Sequence, residues 1–318
     1  MVKKMETVKL AREAMATRFE IVLHGDNPIS LRAAGEEALE EIEWVEAQLS
    51  IYRTDSQINH ANLRAAFQPV KLEPTIFELL KHCEHLSSVT QGAFDITLGP
   101  LVRCWGFMGG PGQLPAPEAI AAAQALVGMH HVHLDEQAYT VQFDREGVLL
   151  DLGSIGKGYA LERAKEILVE NGIQSALIHG GTSTVATIGI PPDQDAWKIA
   201  ITQPTGETEE TTTMGIAELT GNALSVSAVW GKSFKTGDRE YGHVLDARTG
   251  QPTAGAVQAA VTLPSATDAD ALSTALLVAG NHGIPWLDHH FPDHEYLLLK
   301  PGKCPLIKGI LPRPPEDC

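Results

Sequence analysis

The chain has 318 residues, of which 43% are hydrophobic and 20% are charged, as in ordinary globular proteins. Its 40 acidic residues outnumber its 24 basic residues and give a net charge of -16, which argues against a nucleic-acid-binding surface. No run of about 18 apolar residues is present, so no membrane span is predicted. The start has neither the apolar stretch of a signal peptide nor a lipobox. We therefore expect a cytoplasmic protein, or a periplasmic one if a leader is missing from this sequence.

Hydrophobic periodicity and turn residues predict strands and helices in irregular order. In the first half we expect a strand at 15–25, a helix at 27–53 with Ser30 as its N-cap, a polar loop at 53–62, a helix at 73–92 and an alanine-rich helix within 111–128. In the second half we expect three strands within 131–153, a helix at 159–172, strands within 175–189 and 197–202, an exposed loop at 205–214, a strand at 257–265 and a helix at 266–280.

The mixture of strands and helices favours an α+β fold with mixed sheets and flanking helices over a doubly wound sheet. We expect one large globular unit with two closely packed lobes, because no linker divides the chain. The predicted boundaries are an N-terminal extension at 1–13, the main domain at 14–300 and a proline-rich C-terminal tail at 301–318.

Residues 151–164, "DLGSIGKGYALERA", place three glycines and a lysine between an apolar run and a helical pattern. They do not form a Walker A loop, because Asp151 stands at its first glycine and Gly158 replaces its hydroxyl residue. The third glycine of a dinucleotide-binding turn is also missing. The backbone N–H groups of Gly156, Lys157 and Gly158 would bind an anion at a helix start. Alternatively, the glycines only permit tight packing, and the sequence leaves both interpretations open.

Asp270 and Thr274 are four residues apart and share a face of the last predicted helix. A carboxylate and a hydroxyl on what we expect to be an exposed face are oxygen ligands suited to Mg²⁺. The alternative is ordinary helix-start chemistry, in which Asp268 or Asp270 is a cap and Thr274 bonds back along the helix. The residues alone favour this alternative without excluding a metal.

Seven segments together resemble the ApbE-type flavin transferases, the FAD:protein FMN transferases, from about residue 14 to about residue 281. In chain order these segments are "MATRFEI", "YRTDSQINHAN", "GAFDITLGPLVRCWGF", "DLGSIGKGYALERA", "LIHGG", "GHVLDARTGQP" and "DADALSTALLVAG". The resemblance implies an ApbE-like fold for most of the chain. Any one segment is a weak signal, whereas seven in the same order are specific.

The resemblance also implies roles for individual positions. Those that match FAD contacts of the family are Met15, Tyr52, Ala93, Phe94, Asp95, Asp151, Lys157 and Leu245. Those that match metal ligands are Ser154 through its backbone carbonyl, Asp270, Thr274 and, in some relatives, Ser273. The glycine turn would then hold the FAD diphosphate, with Mg²⁺ bridging it to the last helix.

The reaction that this resemblance implies moves FMN from FAD to a threonine or serine hydroxyl of an acceptor protein, with release of AMP. Lys157 would stabilise the negative charge that spreads in the transition state. His243 is our candidate base because imidazole titrates near neutral pH, with Asp95 and Asp246 as the next candidates. His243 could instead only brace its turn. An FAD diphosphatase, which makes FMN and AMP, and a non-catalytic FAD-binding protein are the alternative functions.

Three departures from the family's common pattern accompany this resemblance. Thr182 follows Gly180 and Gly181 where Gly-Gly-Asp is common, Ala228 stands at the glycine of a frequent Ser-Gly, and Ala247 replaces the proline of Asp-Pro-Arg-Thr-Gly. None of them removes a proposed metal ligand, and we expect the first two to bear on recognition of the acceptor protein.

Overall fold

The computed structural model of the chain describes residues 5–204, 210–237 and 239–313, and it confirms the predicted α+β class. The helices are α1 (Pro28–Leu49), α2 (Gln57–Arg64), α3 (Pro74–Val89), α4 (Gly99–Cys104), α5 (Pro117–Gln124), α6 (Gly156–Glu170), α7 (Ala266–Ala279) and α8 (Ile284–His290). The strands are β1 (Glu6–Ala14), β2 (Thr17–Gly25), β3 (Val70–Lys71), β4 (Val132–Asp135), β5 (Thr140–Phe143), β6 (Ser175–Gly180), β7 (Thr184–Ile188), β8 (Trp197–Pro204), β9 (Thr211–Leu219), β10 (Ala223–Ala228), β11 (Ser233–Thr236), β12 (Arg239–Gly242), β13 (Leu245–Asp246), β14 (Gln251–Pro252), β15 (Gln258–Leu263), β16 (Glu295–Leu299), β17 (Leu306–Lys308) and β18 (Leu311–Pro312).

An eight-stranded sheet with the order β1-β2-β6-β7-β10-β15-β16-β17 forms the centre of the molecule. We expected mixed sheets, but every strand pair that the structure describes is antiparallel. Three neighbouring pairs, β1–β2, β6–β7 and β16–β17, follow each other along the chain without an intervening helix, and direct connections of this kind favour antiparallel pairing. Smaller sheets are formed by β18-β9-β8 and β3-β5-β4, together with the two-stranded pairs β11-β12 and β13-β14.

Both faces of the central sheet are covered, as the alternation of side chains along its strands shows. In β15, Ala259 and Val261 belong to the main hydrophobic core, whereas Ala260 between them belongs to a second core. The second core packs against the sheet β18-β9-β8 through residues such as Trp197 and Leu219. Because successive strand residues point to opposite faces, the central sheet is the middle layer of the fold.

Helices α1, α6 and α7 pack on the main-core face, with α6 between the other two. The buried stripe of α1 is the predicted one, since Leu31, Ile42 and Leu49 are all buried. Its N-cap is Asn27 rather than Ser30, because the Asn27 side chain accepts hydrogen bonds from the first free N–H groups of the helix. In α7, all but two of the residues are buried, so this helix lies in the interior.

The contact between α6 and α7 depends on Gly158. A Cβ atom at Gly158 would lie 2.2 Å from the Ala266 carbonyl oxygen and 2.5 Å from the Asp270 Cβ, so only glycine fits there. Helix α6 starts at Gly156, three residues before the predicted start at Tyr159. At Gly158, the interpretation of the glycines as packing residues is therefore correct.

Several other expectations are corrected by the structure. The predicted loop at 53–62 contains the start of α2, because Ser56 caps that helix by accepting the Asn59 N–H. Residues 211–214 of the predicted loop at 205–214 belong to β9, and 205–209 lie outside the described residues. Residues 148–152 form no strand of any described sheet.

Both ends of the described chain belong to the folded domain, in contrast to the predicted extension and tail. Strand β1 pairs with β2 over its whole length because the two are joined by a tight turn. Strand β17 pairs with β16, and β18 pairs with β9. Residues 314–318 of the predicted tail lie outside the described residues. Among the helices of the described chain, none has the length and apolar character to cross a membrane.

Candidate active site

The carboxylate of Asp270 is the most deeply buried charged group of the candidate site. Its side chain is only 3% exposed, so the expectation of an exposed helix face is wrong. Asp270 Oδ2 accepts the Gly158 N–H at 2.8 Å, and Oδ1 accepts the hydroxyls of Thr184 at 3.2 Å and Ser225 at 3.1 Å. Asp270 thus joins the start of α6 to strands β7 and β10 at the centre of the sheet.

A chain of hydroxyl groups continues from Asp270 along α7 and β10. Ser227 Oγ lies 2.8 Å from Ser273 Oγ and 2.9 Å from Thr274 Oγ1. Ser273 and Thr274 also donate to the Asp270 carbonyl oxygen, at 3.0 and 3.4 Å. The structure therefore brings three of the predicted metal ligands together, and the back-bonding that we considered as the alternative for Thr274 is also present.

The surroundings of Asp270 fit a hard cation. Over the described parts of the chain, its partners are neutral donors, and no Lys, Arg or His side chain lies within ion-pair distance of it. A buried carboxylate without a cationic partner is costly, and Mg²⁺ would compensate its charge. Within the described ranges no three His, Cys, Asp or Glu side chains form a metal cluster, but the predicted ligand set has only one such side chain. Ser154 lies in the turn before α6, and its role as a ligand remains a prediction.

The first turn of α6 offers fewer free N–H groups than the sequence indicates. The Gly156 N–H donates to the Leu152 carbonyl oxygen at 2.8 Å, and the Gly158 N–H donates to Asp270. The expectation that both would bind an anion is therefore wrong for the structure as it stands. Lys157, half-buried between them, forms no ion pair or side-chain hydrogen bond within the described residues, so its ammonium group is available to an anion.

His243 follows β12 directly and is held in one orientation. Its backbone N–H and its ring Nδ1 both lie 3.0 Å from the Lys232 carbonyl oxygen. A carbonyl oxygen can only accept, so Nδ1 carries the proton and Nε2 is the acceptor of the neutral ring. Burial lowers the pKa of His243 below its usual value. The hydrogen bond to the Lys232 carbonyl oxygen opposes this shift, and the positive charges of Lys232 and Lys157 add to it. The ring is thus neutral near pH 7, and Lys157 lies near enough to influence it.

Tyr52 and Asp151 form a second part of the site. Tyr52 is 69% exposed, and its pKa is raised by partial burial and by the negative charge of Asp151. Burial raises the pKa of Asp151, while a hydrogen bond from the Gly153 N–H opposes the shift. These two predicted FAD contacts therefore lie close to each other, and an exposed aromatic ring suits stacking on a flavin or an adenine.

Met15 lies in the turn between β1 and β2, where its φ of 49° and the 56° of Ala16 are both in the left-handed region. Two successive positive φ values are characteristic of a type I′ hairpin turn, which usually contains asparagine or glycine. Residues with a Cβ atom are strained there, and strain of this kind is frequent at functional sites. The Met15 side chain packs partly against the main core.

The segment Ala93–Asp95 is buried, and none of its three residues is more than 5% exposed. The Asp95 carboxylate accepts the Thr97 N–H at 2.8 Å and the Thr97 hydroxyl at 2.5 Å, while burial raises its pKa. Because these bonds hold the carboxylate within its own loop, Asp95 is poorly placed as a base. The roles of Ala93, Phe94 and Asp95 in FAD binding remain predictions.

The turn after His243 is fixed by Asp246, which accepts two bonds at 2.8 Å from the Arg248 guanidinium and one from the Arg248 N–H. Asp246 is thus a structural residue rather than a free base. Leu245, in β13, is buried and pairs with Pro252, so its backbone is held in place between His243 and this turn. A backbone contact of Leu245 with FAD remains a prediction.

Sequence reasoning missed Thr184 and Ser225, which hold Asp270, and Asn62, which bonds to the backbone just before Asp151. A signal for the first two was present. Both are hydroxyl residues at strand positions that point into the core, where apolar residues are the rule. Asn62 lies on a helix that we had interpreted as a polar loop, so its partner could not be inferred.

The chain was compared with known proteins and solved structures. The pattern of the ApbE family matches residues 15–298. A FAD:protein FMN transferase of Klebsiella pneumoniae is 28% identical over 298 residues, which cover 92% of this chain and 84% of the relative. The crystal structure of the ApbE protein of Thermotoga maritima superimposes with a TM-score of 0.86 at 28% identity, covering 95% of this chain and 97% of that one. The apo flavinyl transferase ApbE of Pseudomonas stutzeri gives 0.82 at 28% identity, covering 97% and 96%. The chain is therefore a member of the ApbE family.

Proposed function

We propose that this protein is a Mg²⁺-dependent FAD:protein FMN transferase. The reaction breaks the diphosphate bond of FAD, transfers the FMN phosphoryl group to a threonine or serine hydroxyl of an acceptor protein, and releases AMP. The hydroxyl loses its proton, and the new bond is a phosphoester between FMN and the acceptor. Membership of the ApbE family and the names of the relatives support this proposal.

The observation that carries the proposal is the buried carboxylate of Asp270, whose partners among the described residues are all neutral donors and which lies against the first turn of α6. Asp270 and Thr274, with the Ser154 carbonyl, would hold Mg²⁺, and Ser273 lies beside them. When bound, Mg²⁺ supplies Lewis-acid polarisation of the phosphoryl oxygens. Lys157, one residue before Gly158, supplies a positive charge for the diphosphate. A protein of net charge -16 can bind this anion because Mg²⁺ and Lys157 would neutralise the diphosphate charge locally.

His243 would accept the proton of the acceptor hydroxyl at Nε2. The bond from Nδ1 to the Lys232 carbonyl oxygen fixes the tautomer, and the lowered pKa keeps the ring neutral near pH 7. General-base catalysis of this kind contributes typically about 10²–10⁴-fold. Tyr52 and Asp151 would bind FAD at the other side of the glycine turn, where the Tyr52 ring is free to stack.

The test is an assay of the purified protein with FAD and Mg²⁺, with and without an acceptor protein that carries a threonine flavinylation site. We expect covalent attachment of FMN to the acceptor, detected as a mass increase, together with one AMP for each FMN attached. EDTA should abolish both products.

The other outcomes separate the alternatives. Release of FMN and AMP at the same rate with and without acceptor would indicate a diphosphatase, in which water replaces the hydroxyl. Binding of FAD without any product would indicate a non-catalytic FAD-binding protein. Either result would contradict the transferase.

A further inference from the structure

Residues 148–152, which lead into the glycine turn, alternate between buried and half-buried but pair with no strand in the described part of the chain. Val148, Leu150 and Leu152 are buried, as in a strand, yet residues 148–152 join no described sheet. Buried backbone groups need partners, so this segment must satisfy its N–H and C=O groups in another way. The groups that form hydrogen bonds with this segment therefore determine where the turn at Asp151 lies.

Asn62 supplies the central anchor. Its Nδ2 donates to the Leu150 carbonyl oxygen at 2.9 Å, and its Oδ1 accepts the Leu150 N–H at 2.7 Å. One side-chain amide thus makes both backbone hydrogen bonds that a neighbouring strand would make. The Asp151 N–H donates to the Ile96 carbonyl oxygen at 2.7 Å, so the next residue is held as well.

The helix that carries Asn62 is itself firmly placed. Ser56, fully buried at the N-cap of α2, donates to the Ser50 carbonyl oxygen and accepts the Asn59 N–H at 2.9 Å. Ile58 and Ala61, on the inner face of α2, are also fully buried. The amide of Asn62 is therefore a fixed partner and not a mobile surface group.

The two hydrogen bonds between Asn62 and Leu150 hold the backbone next to predicted FAD contacts. Leu150 precedes Asp151, whose Oδ1 accepts the Gly153 N–H and forms the tight turn that leads into α6 and Lys157. Displacement of Leu150 would move the Asp151 carboxylate and the start of the turn together. Even a small displacement of the groups that position a substrate lowers the reaction rate.

We propose that Asn62 is a positioning residue of the FAD site, which holds Asp151 and the glycine turn in the geometry that binds FAD by replacing a missing strand. This inference rests on the proposed function, since it concerns the same site. Asn62 acts through Leu150 and does not itself contact the substrate or the reacting atoms.

The test compares Asn62→Ala with the control Asn171→Ala. Asn171 caps the far end of α6, where its Nδ2 also makes two hydrogen bonds, to Ile167 O and Glu37 Oε2, both at 3.0 Å. We expect the dissociation constant for FAD, measured by flavin fluorescence with Mg²⁺, to rise about tenfold in Asn62→Ala and less than about twofold in the control. The Leu150 amide should exchange its hydrogen about tenfold faster in Asn62→Ala, without ligand. Because Asn62→Ala leaves two buried backbone groups of Leu150 without partners, its urea midpoint should lie below that of the control. Both variants should nevertheless be folded without urea, so that weaker FAD binding by Asn62→Ala reports on placement of the site and not on unfolding.

A second variant, Asn62→Asp, keeps the size and the acceptor oxygen, loses the donor to Leu150 and introduces a negative charge. It should weaken FAD binding at pH 7.5 as well, because a carboxylate would then face the Leu150 carbonyl oxygen. If wild type binds FAD and both Asn62 variants bind it equally well, the inference is wrong while the proposed function stands. If wild type does not bind FAD, both fail. Unfolding of both Asn62 variants beside a folded Asn171→Ala would make Asn62 a general stability residue and would also overturn the inference.

Discussion

Replacement of Asp270 by alanine should destabilise the protein even without metal or flavin. The change removes the acceptor of the buried Gly158 N–H, which lies where α6 packs against α7. An unsatisfied buried donor costs about 1–3 kcal/mol. The hydroxyls of Thr184 and Ser225 lie 3.3 Å apart and can bond to each other, so the loss of their acceptor adds little to the destabilisation. We therefore expect Asp270→Ala to lower the free energy of unfolding by about 2 kcal/mol.

Asp270→Asn separates the hydrogen bonds from the charge. The asparagine Oδ1 can accept the Gly158 N–H, and its Nδ2 can donate to the hydroxyls, which turn to accept. We expect the free energy of unfolding of this variant in EDTA to lie within about 0.5 kcal/mol of wild type. It should nevertheless gain no stability from Mg²⁺, because a neutral amide is a far weaker ligand than a carboxylate.

The assay is urea unfolding of wild type and both variants, in EDTA and in Mg²⁺, followed by tryptophan fluorescence. Wild type should unfold at a higher urea concentration when Mg²⁺ is present, since a ligand of the native state stabilises it. If Asp270→Ala is as stable as wild type in EDTA, the role of the Gly158 N–H is wrong. If Asp270→Asn gains as much from Mg²⁺ as wild type does, Asp270 is not a metal ligand.

Three further predictions concern the base, the ligand and the hairpin turn. His243→Asn should still bind FAD but transfer FMN about 10²-fold more slowly. A base acts unprotonated, so the wild-type rate should rise with pH and level off at a lower pH than an ordinary histidine would give, because the pKa of His243 is lowered. The variant should lack this rise, and unchanged transfer with unchanged pH dependence would exclude His243. FAD should bind more tightly than FMN in a fluorescence titration, whereas equal affinities would rule out a diphosphate contact at Lys157. Ala16→Gly should raise the free energy of unfolding by about 0.5–1 kcal/mol, measured by urea unfolding. Relief of the left-handed backbone strain should outweigh the larger conformational entropy that glycine loses on folding. No gain in stability would mean that the turn is unstrained.

The sequence predicted the long helices well because their local signals are strong. The apolar repeat in α1, with Pro74 at the start of α3 and Gly280 after α7, placed those elements within a few residues. Boundaries that depend on tertiary partners were missed. Helix α6 begins earlier than expected since its first turn is held by Leu152 and Asp270, which no local pattern reveals.

The candidate site was predictable in its residues but not in its environment. Asp270 and Thr274 do share a face, yet that face is buried, because α7 packs against the sheet on one side and α6 on another. Whether a polar residue is exposed depends on the neighbours of its helix, and an alanine-rich helix such as α7 gives a weak amphipathic signal. The partners Thr184 and Ser225 come from strands about 86 and 45 residues away, distances over which the sequence carries no local pattern.

The close contact at Gly158 also determines how this protein can change during evolution. Because the Ala266 carbonyl and the Asp270 Cβ of α7 fill the space beside Gly158, the distance between α6, which carries Lys157, and α7 is fixed by this contact. Substitutions at Lys157 or Ser273 can alter charge or coordination without changing that distance. Under the proposed function, descendants of this sequence could therefore acquire a different metal preference or a different phosphorylated substrate while the spacing of α6 and α7 is kept, provided that position 158 remains glycine.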